Sequence, residues 1–212
     1  MAIAKKGLLK GVRGRLGEYV CYQLDNQTVV RTIGKSNKPP TVKQLGFRKS
    51  AILMKEFMHP VKSLVKIGFS SISTGNGNNA YNCAYAYNLR YAITGTYPNL
   101  KIDFGKVLFT KGDMPVCTNY DVLKTPVGLT FSWTSQENLP GTHWSDHAIM
   151  IAYVPSLNQS IHFFGGTRRH QHTDHLPLKH IKRGHLVETY LAFISDDHKN
   201  ISDSVYTGQF FW

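Results

Sequence analysis

The C-terminal half of the chain constrains the fold most, because its apolar residues come in short runs that alternate with polar ones. From Leu100 onward, the helical period of the preceding segment disappears. Six strand candidates follow one another, at 101–110, 127–133, 147–154, 160–164, 186–195 and 204–212. Glycine, proline, asparagine or aspartate separates them at intervals typical of a β-sandwich. The pattern therefore predicts a sandwich over residues 100–212.

Two of these candidates carry additional information. Apolar residues occupy both sides of 147–154, with Ala148, Met150 and Ala152 alternating with Ile149, Ile151 and Tyr153. Because successive side chains of a strand point to opposite faces, we expect this strand to be buried on both of them. The last candidate ends the chain in Gln-Phe-Phe-Trp, which predicts a terminus that is packed or paired.

The N-terminal segment 7–32 is rich in glycine and basic residues. Its four glycines are Gly7, Gly11, Gly14 and Gly17. Glycine permits another chain to approach the backbone closely, so we interpret these four as close-approach positions. Two apolar runs, 19–22 and 29–30, flank an Asp-Asn turn and predict a β-hairpin. A phosphate-binding loop is excluded, because the Lys-Ser/Thr ending and a preceding strand are missing.

Two helices are predicted between the hairpin and the sandwich. Thr41 and Gln44 fit a capping box, and the first helix should run to about Phe57. Its expected apolar face consists of Leu45, Ile52, Leu53 and Phe57. The second helix spans 80–93, after a polar loop at 70–79, and its expected face is Ala80, Cys83, Ala84, Tyr87 and Tyr91. The segment 61–69 is too short to assign. We therefore predict a mainly β, α+β chain with domains at 1–99 and 100–212.

The net charge of +12 is unevenly distributed. Residues 1–62 contain 13 Lys and Arg against 3 acidic residues, whereas the remaining 150 contain 12 against 10. Such a field attracts polyanions or acidic protein surfaces, although it also serves solubility. The candidate partner-binding residues in the glycine-rich region are Lys5, Lys6, Lys10, Arg13, Arg15, Arg31, Lys35 and Lys38.

The cysteines and the terminus indicate the compartment in which the chain is made. Cys21, Cys83 and Cys117 are odd in number and unclustered, as expected of reduced, buried thiols. The N-terminus lacks the apolar core of a signal peptide, and no segment reaches the length of a membrane span. We expect synthesis in the cytoplasm, with export by another route or incorporation into a particle left open.

A histidine-rich segment offers the most defined candidate for chemistry. If it forms a strand, His170, His172 and His175 could share a metal ion, since imidazoles two residues apart on a strand face the same way. The alternative is a polar hairpin in which histidine is locally abundant. No cofactor is expected beyond an adventitious or structural metal here. The adjacent residues Ser145, Asp146 and His147 cannot form a triad from one strand, because neighbours point to opposite faces.

A glycine and arginine run precedes the histidines. Gly165-Gly166-Thr-Arg-Arg could seat an anion through backbone amides and guanidinium groups, and a hairpin turn explains the same glycines.

Two resemblances follow from the motifs. Gly128-Leu-Thr-Phe-Ser-Trp133 resembles an early strand of a fibronectin type III or related immunoglobulin-like domain, ending in the core tryptophan. Leu176, Gly184 and Tyr190 resemble the corner in which a tyrosine hydroxyl holds the preceding loop. The segments 190–195 and 202–206 resemble the last two strands. This resemblance implies an immunoglobulin-like sandwich.

The second resemblance covers nearly the whole chain. Its motifs are the opening Ala-Ile-Ala-Lys-Lys-Gly, the run from Gly11 to Gly17, Ala-Ile-Thr-Gly-Thr-Tyr-Pro at 92–98, and Ser-Val-Tyr-Thr-Gly at 204–208. They are similar to an uncharacterised family of Bacteroidota proteins of similar length, a domain of unknown function. It implies an architecture and a bacterial or phage setting, with no activity to carry over.

Three hypotheses of function result. The first is a non-enzymatic structural or assembly protein whose basic hairpin contacts neighbouring subunits or an acidic partner, as in a filament or phage-like particle. The second is low-specificity binding of nucleic acid through the basic residues. The third, held in reserve, is a metal-binding protein or enzyme built on the histidines.

Overall fold

The chain folds into two compact units, and the boundary between them in the sequence differs from the predicted one. The computed structural model describes residues 2–4, 7, 9–25, 27–35, 37–73, 79–135 and 139–212. The units are Met1–Thr41 and Val42–Trp212. This boundary lies after Thr41, whereas a division between residues 99 and 100 was predicted, and the helices that follow Thr41 share a core with the sandwich.

The first unit is a four-stranded antiparallel sheet. Its strands are β1 Ala2–Ala4, β2 Gly14–Leu16, β3 Tyr19–Leu24 and β4 Gln27–Thr32, in the order β1-β4-β3-β2. The predicted hairpin is confirmed as β3 and β4, with Leu24 opposite Gln27. Asp25, at φ +45°, begins the turn, and Asn26 lies outside the described residues. The three-residue strands β1 and β2 were not predicted, because so short a run gives no alternation.

The helices of the second unit confirm both predicted helices and add two short ones. They are α1 Val42–Met58, α2 Lys62–Gly68, α3 Ser70–Ser73 and α4 Ala80–Tyr91. Their buried faces differ from the expectation, since Ile52 is 54% exposed and Tyr91 49% exposed. Only the last turns of α1 reach the core, through Met54 and Met58 together with the predicted Phe57.

The strands of the second unit form two larger sheets and one small pair. They are β5 Ile93–Thr94, β6 Lys101–Ile102, β7 Thr118–Lys124, β8 Gly128–Thr134, β9 His147–Val154, β10 Gln159–Phe163, β11 Thr173–Pro177, β12 Leu186–Ile194 and β13 Val205–Phe211. The sheet orders are β10-β9-β12-β13, β11-β8-β7 and β5-β6, all antiparallel. The predicted mainly β, α+β class is confirmed.

The four-stranded sheet of this unit is the middle of three layers. One face packs on the three-stranded sheet. There the rings of Trp133 and Phe193 pack edge to face, with their centres 5.4 Å apart. The other face packs on the helices, where Phe57 meets Tyr153 at 5.0 Å. Strand β9 contributes to both cores, as predicted, because its alternate side chains lie on opposite faces.

The predicted strand at 101–110 is wrong. Only Lys101–Ile102 pairs, and a 3₁₀ turn follows at Phe104–Lys106. Beyond it, side chains take up the backbone amides that a neighbouring strand would otherwise bind. The amide of Leu108 donates to Asn88 Oδ1 at 2.9 Å, and that of Phe109 to Ser204 Oγ at 2.9 Å.

The ends of the sandwich confirm the predicted packing of the C-terminus and correct one motif of the immunoglobulin-like resemblance. Trp212 is buried and its indole donates to the carbonyl of Ile181 at 3.0 Å, so the C-terminus is packed as predicted. The tyrosine corner is wrong, because Tyr190 points into the helical core. Its hydroxyl donates to the carbonyl of Phe104 at 2.8 Å, and Phe104 is not part of the loop that precedes β12.

Candidate functional site

The basic residues of the first unit are exposed wherever the structure describes them. Lys5 and Lys6 lie outside the described residues, and the exposed members are Lys10, Arg13, Arg15, Arg31, Lys35 and Lys38. The strand register places Arg15 and Arg31 on either side of Val20, so both guanidinium groups belong to one face. Arg31 also lies 5.8 Å from the ring centre of Tyr22, a cation–π contact.

The four glycines of this unit serve backbone conformation. All have positive φ, from +60° at Gly17 to +105° at Gly14. Within the described part of the chain, no atom lies within 4 Å of a Cβ added at any of them. The conformation alone therefore accounts for Gly7, Gly11, Gly14 and Gly17. Their predicted close approach does not occur within the chain, and approach by another chain stays a prediction.

The same small sheet exposes large apolar side chains. Ile3, Leu16, Tyr19 and Leu24 are between 51% and 54% exposed. Among the side chains described in this unit, those that are buried are Cys21, Thr28 and Val29. The sheet thus combines a minimal core with an outer surface that is both apolar and cationic.

The three histidines of the predicted metal site do not converge. His170 lies in a 3₁₀ turn, His172 adopts a left-handed conformation at φ +60°, and His175 lies on β11. A common strand face is therefore wrong for these residues. Their Nδ1 atoms contact separate groups, the Trp144 carbonyl for His170, Ser135 Oγ for His172 and Thr130 Oγ1 for His175. The described residues contain no group of three potential ligands placed to hold a metal.

The segment before β9 forms a turn whose polar groups bind one another. His143 Nδ1 lies 2.7 Å from Ser145 Oγ. The Asp146 carboxylate accepts from the backbone amide of His143 at 2.8 Å, so it does not orient the imidazole. His147 lies apart, with Nε2 3.1 Å from Asp196. A nucleophile, base and orienting acid are not brought together here.

Asp146 and Arg169 form a buried ion pair at one end of the sandwich. Arg169 Nε lies 3.3 Å from Asp146 Oδ2, in ionic contact but without the alignment of a hydrogen bond. The guanidinium also lies 4.0 Å from the ring centre of Phe193 and donates to the carbonyl of Pro115 at 2.9 Å. Burial lowers the pKa of Arg169, and the carboxylate of Asp146 opposes that shift. Arg169 is thus a core residue.

The glycine and arginine run does not form an anion seat. The amide of Gly166 donates to Ala148, that of Thr167 to the carboxylate of Asp174, and that of Arg169 to Asp146. Gly166 is required because the Asp174 carboxylate occupies the space where a side chain would lie. The predicted hairpin turn is wrong as well, because the run connects β10 of the four-stranded sheet to β11 of the three-stranded sheet.

An exposed tryptophan beside this run was not predicted. Trp144 is 55% exposed, with the Arg168 guanidinium 4.9 Å from its ring and the His170 ring 5.5 Å away, edge on. Trp144 lies more than twenty positions before Arg168 and His170 in the sequence, so only the folded structure brings it beside them.

The buried thiol of the sandwich is poorly suited to nucleophilic chemistry. Cys117 is 6% exposed, and burial raises its pKa to about 11 despite the nearby Arg169. A thiol with such a pKa is largely protonated at neutral pH, and the thiolate is the reactive form. None of the described helices combines the length and apolarity needed to cross a bilayer.

Comparisons with known proteins gave one match. Neither a search of curated proteins nor a search of solved structures found a match. A family model described as a family of unknown function, DUF6266, matches residues 11–208. This range runs from the turn before β2 to the last strand of the sandwich, and so includes both units. The chain therefore belongs to the DUF6266 family of unknown function.

Proposed function

We propose that this chain is a non-enzymatic assembly protein whose N-terminal sheet binds a neighbouring copy of the same chain. The observation that carries the proposal is the set of apolar side chains that stay half exposed on that sheet. They are Ile3, Leu16, Tyr19 and Leu24. The register places Leu16 and Tyr19 side by side on one face of the sheet and Ile3 and Leu24 on the other. Exposed apolar side chains that lie next to one another are typical of interaction sites.

The size of the first unit supports the same conclusion. Domains near or below about 40 residues usually need disulfides, metals or oligomerisation for stability. The unit Met1–Thr41 has one cysteine, Cys21, which is free. Its described residues contain no metal-binding group. Oligomerisation would supply further buried surface to this unit.

The charge indicates how two copies meet. Residues 1–41 contain eight Lys and Arg against two acidic residues, a net charge of +6. A contact between the N-terminal sheets of two copies would bring two positively charged surfaces together, which is unfavourable. Residues 100–212 contain ten of each sign and supply the acidic groups that a basic sheet can meet. The contact is therefore heterologous, and repetition of such a contact produces rings or filaments.

Light scattering and negative-stain microscopy of the full chain test the proposal. The protein should form species larger than a monomer as concentration rises, with a regular repeat by microscopy. Leu16→Ser together with Tyr19→Ser should shift it toward the monomer, because the change removes apolar contact area from the sheet.

The matched control is Leu123→Ser together with Val127→Ser, two exposed apolar residues of the sandwich at 60% and 57%. These substitutions should disturb assembly less. A wild-type chain that stays monomeric at high concentration would falsify the proposal, as would equal loss of assembly in both pairs.

Low-specificity nucleic-acid binding is the second candidate. The observation that favours it is the face on which Arg15 and Arg31 flank Val20 while Arg31 contacts Tyr22. Cationic groups beside exposed rings bind single strands through phosphates and stacking. Affinity for labelled DNA and RNA should then fall steeply with salt, and Arg15→Gln with Arg31→Gln should flatten that dependence. Failure to bind at low salt removes this candidate.

We also infer that the sandwich is immunoglobulin-like and that the protein comes from a bacterial or phage setting. Support for the first comes from its three- and four-stranded sheets and the buried Trp133 on β8. The second rests on the resemblance to Bacteroidota proteins. An experimental structure tests the first, and the distribution of the family among genomes tests the second.

A further inference from the structure

The helices of the second unit line a cavity that is partly open to solvent. Its volume is about 680 Å³, and its lining comes from α1, α2, the turn between them and the start of α4. The lining residues are Lys55, His59, Lys62, Lys66, Asn79, Ala80 and Tyr81. No acidic residue is among these described lining residues. Cavities of roughly 300–1,000 Å³ are typical of small-molecule sites.

The lysines of this cavity have no anionic partner in the described part of the chain. The ion pairs found there involve other residues, and Lys55, Lys62 and Lys66 take part in none of them. Lys62 lies 6.0 Å from the ring centre of Tyr81, which stacks on Tyr85. Three cations that line one cavity without an acidic residue among its described lining residues favour an anion more strongly than cations spread over a surface.

The surrounding helical layer adds to the positive potential. Residues 42–91 contain seven Lys and Arg and a single acidic residue, Glu56. Glu56 lines a different cavity, beside Leu53 and Lys101. The excess charge of the whole chain thus resides in 1–41 and 42–91, at +6 each, while the remainder is neutral.

We propose that this cavity binds a small phosphate-bearing ligand through Lys55, Lys62 and Lys66. Lysine ammonium groups bind phosphate oxygens with charge-assisted hydrogen bonds, and three of them suit an anion that carries more than one negative charge. The start of α4 adds its partial positive charge on the same side, although the lysines carry the argument. The cavity is partly open to solvent, and its limited volume of about 680 Å³ suits a compact ligand better than a long strand.

Titration of the full chain with tripolyphosphate at low ionic strength, followed by calorimetry, tests the proposal. Saturable binding near one equivalent is expected. The variant Lys62→Gln with Lys66→Gln keeps most of each side chain and removes two charges. Its affinity should fall by about tenfold, since each exposed ionic contact contributes modestly.

The matched control is Lys43→Gln with Lys49→Gln, which removes two exposed lysines of α1 outside the cavity. This control should lose less than about threefold, through the general field alone. Because all four side chains are exposed, these substitutions should leave the circular dichroism spectrum unchanged. Equal losses in the two variants, or no binding by the wild type, overturn the proposal.

A short single-stranded oligonucleotide distinguishes a free phosphate compound from a nucleic-acid backbone. Tripolyphosphate should compete with a fluorescent nucleoside triphosphate and leave any oligonucleotide binding largely in place. If the oligonucleotide binds and tripolyphosphate does not, the small-ligand proposal is wrong. Neither result depends on assembly through the N-terminal sheet, so variants Leu16→Ser and Tyr19→Ser should bind tripolyphosphate like the wild type.

Discussion

The chain contains two four-stranded antiparallel sheets that differ in how they are covered. The sheet β10-β9-β12-β13 lies between a second sheet and a helical layer, and every residue of β9 after His147 is buried. In the sheet β1-β4-β3-β2, the described side chains that are buried are Cys21, Thr28 and Val29. The unit that holds this second sheet carries a net charge of +6, whereas residues 100–212 are neutral.

The difference leads us to expect that the two sheets differ in stability although both have paired strands. Burial of apolar area is the main stabilising contribution, and it is concentrated in the two cores that share β9 and β12. The N-terminal sheet satisfies its backbone but leaves apolar area in water. The covered sheet therefore supplies most of the core, and the proposed contact with a partner would use the apolar area that the N-terminal sheet leaves exposed.

The largest expected effect is the loss of a core side chain from the covered sheet. Phe193→Ala should reduce the free energy of unfolding by about 3–5 kcal/mol, because it leaves a cavity beside Trp133 and the Arg169 guanidinium. Denaturant unfolding followed by tryptophan fluorescence measures this change. All three tryptophans lie in the second unit and so report on it.

Tyr19→Ala in the N-terminal sheet is the matched aromatic control. Tyr19 is 51% exposed, so the free energy of unfolding measured in the same way should fall by no more than about 0.5 kcal/mol. Comparable losses for the two variants would mean that the sheets stabilise the chain equally.

Alkaline pH should weaken the covered sheet next. Burial raises the pKa of Tyr153 to about 12 and also raises the pKa of Tyr190. The unfolded chain therefore releases these protons at lower pH than the folded one. Their contribution to stability is complete below pH 10, the ordinary tyrosine pKa, and is lost as pH rises toward about 12.

Unfolding free energies measured in steps from pH 8 to about pH 11 check this dependence. The variant Tyr153→Phe, which lacks the ionisable hydroxyl, should show a shallower fall above pH 10. A stability that stays constant up to pH 11, or the same slope in the variant, would contradict the assignment.

The sequence indicated the covered sheet well, because both faces of β9 are apolar and long strands alternate clearly. It did not indicate β7 or β11, which are edge strands with one buried side chain each, Val122 and Leu176. It also misassigned 101–110. Val107 and Phe109 alternate as in a strand, yet their segment is tied by Asn88 and Ser204, whose roles depend on tertiary contacts.

The candidate sites show the same limit. Charge and exposure of Arg15 and Arg31 were predictable, since both follow from composition and a short hairpin. The sequence did not indicate that Lys55, Lys62 and Lys66 line one cavity. They do so only because the chain turns near Pro60, between α1 and α2. The prediction for the histidines failed because their spacing suits a single strand. In the structure, His170 lies in a 3₁₀ turn and His172 has a left-handed conformation.

Thiol labelling compares the stability of the two sheets directly. Cys21 and Cys117 are both buried, in the first and second units respectively. Labelling requires local opening, which should be easier in the smaller unit. We expect iodoacetamide to modify Cys21 at least about tenfold faster than Cys117, whose raised pKa acts in the same direction.

Peptide mass spectrometry assigns each label, and Cys83, which is half-buried on α4, serves as the accessible reference. A Cys21 as slow as Cys117 would show that the N-terminal sheet is as well protected as the sandwich.

The smallest expected effect separates two explanations of the N-terminal glycines. Gly11 has φ +82°, and its amide donates to Thr28 Oγ1 at 2.9 Å. If conformation is the requirement, Gly11→Ala should destabilise the first unit by about 1 kcal/mol, and Gly11→Asn by less, because asparagine tolerates positive φ. If another chain approaches this backbone, the larger asparagine should weaken assembly more than alanine. Hydrogen exchange in β3 and β4 measures the stability of the sheet, and light scattering measures assembly. If the alanine variant is the less stable one, the conformation of Gly11 is what matters, and if the asparagine variant assembles less well, another chain approaches this backbone.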